Sequence, residues 1–480
     1  MRTNLFQVMK RLIYLLFIIL SYQTYAQNEA FNLKIRVSGV QDSLIYLANY
    51  YGDKQYLKDS TYADASGRFT FKAKEALPGG IYLVVLPGKR YFEVILDKNQ
   101  KLSMETDNAN LVENMKVTGS DENKAFYDYL RFIYYKHKEV ESLGQALEKV
   151  KEIPDSASVY KEKINAIDKE VKEYKKNYIK QHSDWFTAKV FKASTDPVIP
   201  DLPKSESGEV DSLFGFKYYK AHYFDGLDFS DERLLRTPVF HNKLQYYLKN
   251  LTLQIPDSIN KEADMIIAKA KANDEIFKYT VNYITYTYET SNIMGMDAVF
   301  VHMARNYYTP DQAFWVDSTQ LYKITDKAKT LEPLLLGKKA QNLVMKDMNG
   351  KYRSLHDVNA KYTILYFWDP DCSHCKKATP KLAEYYQKVK SNGVEVYAVC
   401  TEVETDKWKK FIEDYNLNWI NVHDPDHRIN YRKMYDIQTT PVVYLLDDEK
   451  KIIAKRIGVE QLEEILDNFL KRDVSRKFNE

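Results

Sequence analysis

At 480 residues the chain is too long for one core and divides into several domains. Its 44% hydrophobic and 29% charged content excludes a largely disordered protein. The formal charge of +3 is matched by Arg2, Lys10 and Arg11 alone: without these three of its 70 basic residues, the chain balances its 67 acidic ones, so a nucleic-acid role has no electrostatic support.

Those three cations precede the apolar run Leu12 to Leu20, and Thr24-Tyr25-Ala26 closes on a small residue. Residues 1–26 read as a secretory signal cut before Gln27. The run is short for a bilayer span, so membrane contact is expected only through an uncleaved signal. Export changes how the cysteines read. Cys372, Cys375 and Cys400 all lie in the last quarter of the chain, which excludes a disulfide-stapled scaffold and favours a localised catalytic pair.

Over residues 27–118 the pattern has period two: Leu33, Ile35 and Val37 alternate with Lys34 and Arg36. Similar runs follow at Leu44 to Leu47, Phe69 to Phe71, Ile81 to Leu86 and Tyr91 to Leu96, with turns at Asp64-Ala65-Ser66-Gly67 and Pro78-Gly79-Gly80. These predict an N-terminal antiparallel β-sandwich. Residues 119–331 change to a helical period and predict a central all-α region. Ile164, Ile167, Val171, Tyr174 and Tyr178 give one apolar stripe on a charged helix, Pro197, Pro200 and Pro203 mark a loop, and further helices are expected over Asp231–Leu251, Ile259–Tyr286 and Asn292–Tyr307.

From residue 332 to 480 strands alternate with helices. Strands are expected at Tyr362–Phe367, Val394–Cys400, Val442–Leu446 and Ile452–Ile457, and helices at Cys372–Ser391, Asp406–Tyr415 and Val459–Lys471, with a hairpin at Asn349-Gly350-Lys351. This is a C-terminal α/β fold with a mixed sheet. Cys372-Ser373-His374-Cys375 stands where the first long strand gives way to its helix. Two thiols one turn apart at a helix N-terminus form a redox centre, the helix end favouring a thiolate on the first sulfur.

The Phe367-Trp368 lead-in, the CxxC with Lys376-Lys377 and Pro380, Thr440-Pro441-Val442 and Gly458 together resemble the thioredoxin-fold TlpA/ResA-like thiol:disulfide oxidoreductases, related to the AhpC/TSA and redoxin families. The resemblance implies Cys372 as nucleophile, Cys375 as resolving thiol, a redox-active disulfide between them, and Pro441 as a cis-proline facing it. Thr440 would then present backbone to a substrate strand. Tyr366 stands where thioredoxin carries a proton-relaying aspartate, a departure that puts such a relay in doubt. Ser373 and His374 are expected to set the redox poise; the span from thioredoxin to a strong disulfide oxidase is about 150 mV, or roughly 7 kcal/mol for two electrons. Trp368 is expected to pack under the disulfide while still contacting substrate.

Other readings of the motif fail on residues. Haem attachment needs a histidine where Lys376 stands. A peroxiredoxin needs Thr or Ser where Asp369 stands. A zinc site has only Cys400 with His423 or His427 as a partial set, so neither metal nor cofactor is expected. Cys400 reads as a small core residue, Asp369 and Asp371 as solvated turn residues. The first two domains resemble the N-terminal and central domains of unknown function that precede thioredoxin-like domains in exported Bacteroidetes-type proteins. The chain thus reads as a periplasmic thiol:disulfide oxidoreductase acting on envelope or cytochrome-maturation clients. Reduction is the favoured direction, and it requires a membrane thiol electron donor because the compartment oxidises. The alternative is an envelope binding protein in which the redox domain is accessory; truncation to residues 332–480 would separate the two.

Overall fold

The computed structural model describes residues 29–201 and 211–477, with side chains through residue 473; the expected signal lies outside them. The chain packs as two compact units, dividing between Leu251 and Thr252. The boundary between them therefore falls inside the helical region rather than at either of its ends.

In the first unit, β1 (Phe31–Ser38), β2 (Leu44–Tyr51), β3 (Lys54–Tyr62), β4 (Arg68–Ala73), β5 (Gly80–Val85), β6 (Tyr91–Leu96), β7 (Lys101–Asp107) and β8 (Lys116–Thr118) make two four-stranded sheets. Their orders are β4-β1-β7-β8 and β3-β2-β5-β6. The alternation in β1 buries Phe31, Leu33, Ile35 and Val37, as a strand with one core face must. Pairing is antiparallel throughout except between β1 and β7, which run parallel with Asn32 beside Lys101. The edge strand β3 is exposed along nearly its whole length.

Helices α1 (Asp121–Lys149), α2 (Pro154–Gln181), α3 (Phe186–Ala193), α4 (Phe214–His222) and α5 (Pro238–Asn250) complete this unit. The predicted stripe is on α2, but only Ile167 and Tyr178 of it are buried. Two polar fastenings tie helices to sheet. Asn123 exchanges hydrogen bonds with the backbone of Ile95, 2.8 Å each way. On the 3-10 turn Glu232–Arg236, Arg233 pairs with Asp97 at 2.7 Å and with Asp231, and Arg236 Nε donates to the Gly79 carbonyl at 2.6 Å. A Cβ on Gly80 would stand 2.4 Å from Arg236 Cβ, so only glycine lets the turn approach this closely.

The second unit opens with α6 (Pro256–Ala270), α7 (Asp274–Glu289), α8 (Asp297–Tyr307) and α9 (Ser318–Leu331). The single helix expected over 259–286 is two, because Asn273 accepts from the backbone N–H groups of Glu275 and Ile276 and starts α7 afresh. A seven-stranded sheet follows, formed by β9 (Val344–Asp347), β10 (Tyr352–Ser354), β11 (Tyr362–Trp368), β12 (Val394–Cys400), β13 (Ile420–His423), β14 (Val442–Leu446) and β15 (Ile452–Lys455). Its order is β10-β9-β13-β12-β11-β14-β15, with β11, β12 and β13 parallel and the rest antiparallel. The helices are α10 (Ser373–Val389), α11 (Thr405–Asp414), α12 (Tyr431–Met434) and α13 (Val459–Lys477). This is the expected thioredoxin-type α/β fold. Central β11 is covered on both faces and buries all seven residues, which explains its unbroken apolar run. Complete burial of Ile364, Leu365 or Phe367 is worth about 1.5–3 kcal/mol apiece.

Lys455, buried at the end of β15, joins this sheet to the helices before it. Its ammonium donates to the Leu334 carbonyl at 2.7 Å and pairs with Asp297 at the start of α8. Burial pushes its pKa down, and Asp297 opposes that shift.

Candidate active site

The core strand β11 ends at Trp368, and the next four residues turn the chain into α10. Cys372 takes the N-cap position, its carbonyl accepting the first helical bond from Lys376 N–H at 3.0 Å. One turn later Cys375 is buried completely, whereas Cys372 stays partly exposed. The three cysteines are free thiols.

The two thiols of the pair are displaced in opposite directions. Burial raises the Cys372 pKa, but the N–H groups of Cys375 and His374 at the helix end, together with Thr440, outweigh it and leave the net value lowered. For Cys375 burial dominates, and its pKa is pushed up to about 12 even though Asp369 N–H donates to its sulfur at 3.4 Å. At neutral pH Cys375 therefore stays protonated.

Across from the pair, the Thr440–Pro441 bond is cis, at the entrance to β14. The Cys372 thiol donates to the Thr440 carbonyl at 3.2 Å. Ser373 and His374 are exposed on the first turn of α10. His374 and Pro441 face a groove of about 550 Å³ that also touches Lys377, Gln438, Arg456 and Ile457. Thr440 and Pro441 are half-buried. Trp368 lies wholly inside, its indole 4.7 Å from the Phe411 ring, and its Nε1 has no hydrogen-bond partner. Tyr366 is equally buried and shares a 2.8 Å hydrogen bond with Thr379, a partner on α10 that sequence reading did not single out. Burial raises the Tyr366 pKa, so it stays neutral beside the pair.

Asp369, Asp371 and Glu402 lie close enough for their carboxylates to share one point. Each is engaged otherwise: Asp369 accepts from the Thr401 hydroxyl at 3.1 Å, Asp371 pairs with Lys407 at 2.9 Å, and Glu402 accepts from the backbone of Val403 and Glu404. The hydrogen bond from Lys407 lowers the Asp371 pKa. Cys400 sits beside Trp368 in register, and burial pushes its thiol far up. His423 lies beside Cys400, but its ring packs tilted against Trp408 and hydrogen-bonds the Glu402 carbonyl. Arg456 and Asp436, which line the groove and pair with each other, were not apparent as site residues because they come together only through β15 and α12.

Residues 336–455 match the AhpC/TSA family, and residues 159–332 and 31–126 match two domains of unknown function, DUF5106 and DUF4369. Among curated proteins, the thiol-disulfide oxidoreductase ResA of Bacillus cereus is 33% identical over 141 residues, covering 29% of this chain and 80% of the relative. ResA of Bacillus subtilis is 34% identical over 127 residues, covering 26% and 70%. Among solved structures, a domain of a possible thiol-disulfide isomerase from Cytophaga hutchinsonii is 48% identical, covers 30% of this chain and 98% of that one, and has a TM-score of 0.28.

Proposed function

Because the chain belongs to the ResA-type thiol-disulfide oxidoreductases of the AhpC/TSA family, we propose that Cys372 and Cys375 carry its exchange chemistry and that it reduces disulfides in envelope proteins. The observation that carries this reading is the placement of the two thiols: Cys372 stands partly exposed at the N-cap, where its pKa is lowered, and Cys375 is completely buried one turn in, where its pKa is raised. An exposed, acidified sulfur attacks; a buried, reluctant one waits.

In the first step the Cys372 thiolate attacks one sulfur of a client disulfide, forming a Cys372–client mixed disulfide and releasing a client thiolate. That thiolate takes the Cys375 proton. The new Cys375 thiolate then attacks Cys372 Sγ, expelling the second client sulfur and closing a Cys372–Cys375 disulfide. Two electrons reach the client, and a membrane thiol donor restores the dithiol. Thr440 and Pro441 present backbone to the client strand, while Ser373 and His374 tune the potential from the helix end.

An exported protein of this kind agrees with the signal read over residues 1–26. Among the described residues no helix is long and apolar enough to cross a membrane. Residues 332–480 form the redox domain in this reading, and the preceding regions present it or recognise its partners.

Equilibration with glutathione and dithiothreitol redox buffers tests the direction. A potential below about −200 mV is expected, and one near about −120 mV overturns the reductase assignment. Recovery of mixed disulfides on Cys372 in the Cys375→Ser variant is the second expectation; recovering none argues against Cys372 as nucleophile.

A further inference from the structure

A second, larger groove of about 1280 Å³ lies within the C-terminal unit, between helices α7 to α9 and the redox sheet. It is continuous with the groove at the active site: Asp436, Gln438, Arg456 and Ile457 line both. Its volume exceeds the roughly 300–1,000 Å³ typical of small-molecule pockets, and it is partly open to solvent.

The far wall leaves apolar groups in water. Ile293 is 50% exposed, Met294 40% and Tyr322 64%, all on the helical side. That side does not float against the sheet. Lys455 N–H contacts the Met294 sulfur at 3.4 Å, and its ammonium holds Asp297 and the Leu334 carbonyl. Most charges in the cleft cancel in pairs: Lys433 with Asp326 at 3.0 Å, Lys327 with Glu289 at 2.6 Å, Lys455 with Asp297, and Arg456 with Asp436. Two cations remain. Lys323 is exposed with no carboxylate partner among the described residues, and Arg432 donates to a neutral carbonyl, that of Thr401, at 3.2 Å.

We propose that this cleft is the client-recognition half of the active site. Its occupant is an extended client segment flanking the reactive cysteine, bearing an apolar residue for Ile293, Met294 and Tyr322 and an acidic one for Lys323 and Arg432. The proposal rests on the disulfide-exchange reading and assigns the helical region the task of selecting the client. Continuity with the cis-Thr440–Pro441 groove supplies the path, exposed apolar surface supplies affinity, and the residual positive charge supplies sign.

The test uses the full chain carrying Cys375→Ser, so that attack by Cys372 stops at the mixed disulfide. Two peptides of about a dozen residues each carry one cysteine activated as a nitrothiobenzoate disulfide, one with Leu and Glu flanks, the other with Ser and Lys flanks. Attack joins the peptide to Cys372 and releases the coloured thionitrobenzoate anion. Dithiobisnitrobenzoate, which has no flanks, gives the reference rate. We expect the acidic peptide to react about tenfold faster than the basic one at low salt. Ile293→Asp with Tyr322→Ser should lower the ratio of acidic-peptide to reference rate about tenfold. Lys323→Glu, a surface change, should bring the two peptide rates together. Equal peptide rates in the unmodified cleft, or ratios that the substitutions leave unmoved, overturn the proposal. Failure of Cys372 to attack dithiobisnitrobenzoate overturns the redox reading instead.

Discussion

Each unit of the chain fastens helices to a sheet through basic side chains at the junction, yet the two junctions are built to different ends. In the N-terminal unit Arg233 is saturated by Asp97 and Asp231, Arg236 fills the space over Gly80, and the turn closes on the sheet. In the C-terminal unit Lys455 makes one ion pair and one carbonyl bond, and beside it a wide groove stays open with apolar side chains in its wall. Arginine's planar fork seals a contact through several directed bonds, whereas a lysine pins one point and leaves the surroundings free. A closed junction holds shape; an open one, continuous with the groove at the cis Thr440–Pro441 bond, leaves room for a guest.

Substitutions can sharpen or break that contrast. The largest effect should come from Cys372→Ser, which removes the only exposed, acidified thiol; reduction of a peptide disulfide should fall at least about 10³-fold, roughly 4 kcal/mol of barrier. Next is Asp297→Ala, which strands the Lys455 ammonium and should cost about 3 kcal/mol in urea unfolding of the C-terminal unit. Replacing both, as Lys455→Met with Asp297→Leu, should recover most of it. Arg233→Met should cost the N-terminal unit less, about 2 kcal/mol, because the Asp97 carboxylate it strands is nearer water than the Lys455 ammonium and Lys189 remains 3.0 Å from Asp231. If Arg233→Met proves the costlier, the distinction between sealed and pinned junctions fails.

Acidity gives a smaller effect with a defined sign. Alkylation of Cys372 by iodoacetamide should fall about tenfold per pH unit below its lowered midpoint, while Cys375 stays unreactive until the pH nears about 12. For the dithiol form the signs oppose. The depressed Cys372 pKa stabilises above the unfolded thiol's value, and that gain is lost as pH falls through the folded one. The raised Cys375 pKa stabilises below the unfolded value and is lost as pH rises toward about 12. Urea midpoints measured across that range resolve the two. Smallest is Tyr366→Phe, which leaves the Thr379 hydroxyl unpaired and should cost about 1 kcal/mol in the same unfolding assay.

Much of this architecture was legible where burial was complete. The run Tyr362 to Trp368 announces a central strand because neighbours cover both of its faces, and the CxxC position follows from that strand's end. Where surface dominates, the pattern fades: β3 exposes nearly every residue and shows no alternation. The buried strand β13 is too short to give a period. The cap at Asn273 is a single side chain hidden in a continuous apolar stripe, so α6 and α7 read as one helix. At the site, Cys372, Cys375 and the Thr440-Pro441 dipeptide carry local signatures. The pairing of Asp436 with Arg456 does not, because long-range folding alone makes them neighbours.

The parallel pairing of β1 with β7 also orders events in time. As the chain is made from its N-terminus, β1 can find β4 only after β2 and β3 have been made, and its other edge stays bare until Lys101 to Asp107 arrive. Closing so long a loop costs entropy before any contact repays it. The sandwich should therefore assemble late and in one step, and a nascent chain halted before residue 101 should display an open strand edge, which is the kind of surface that chaperones bind and that aggregation exploits.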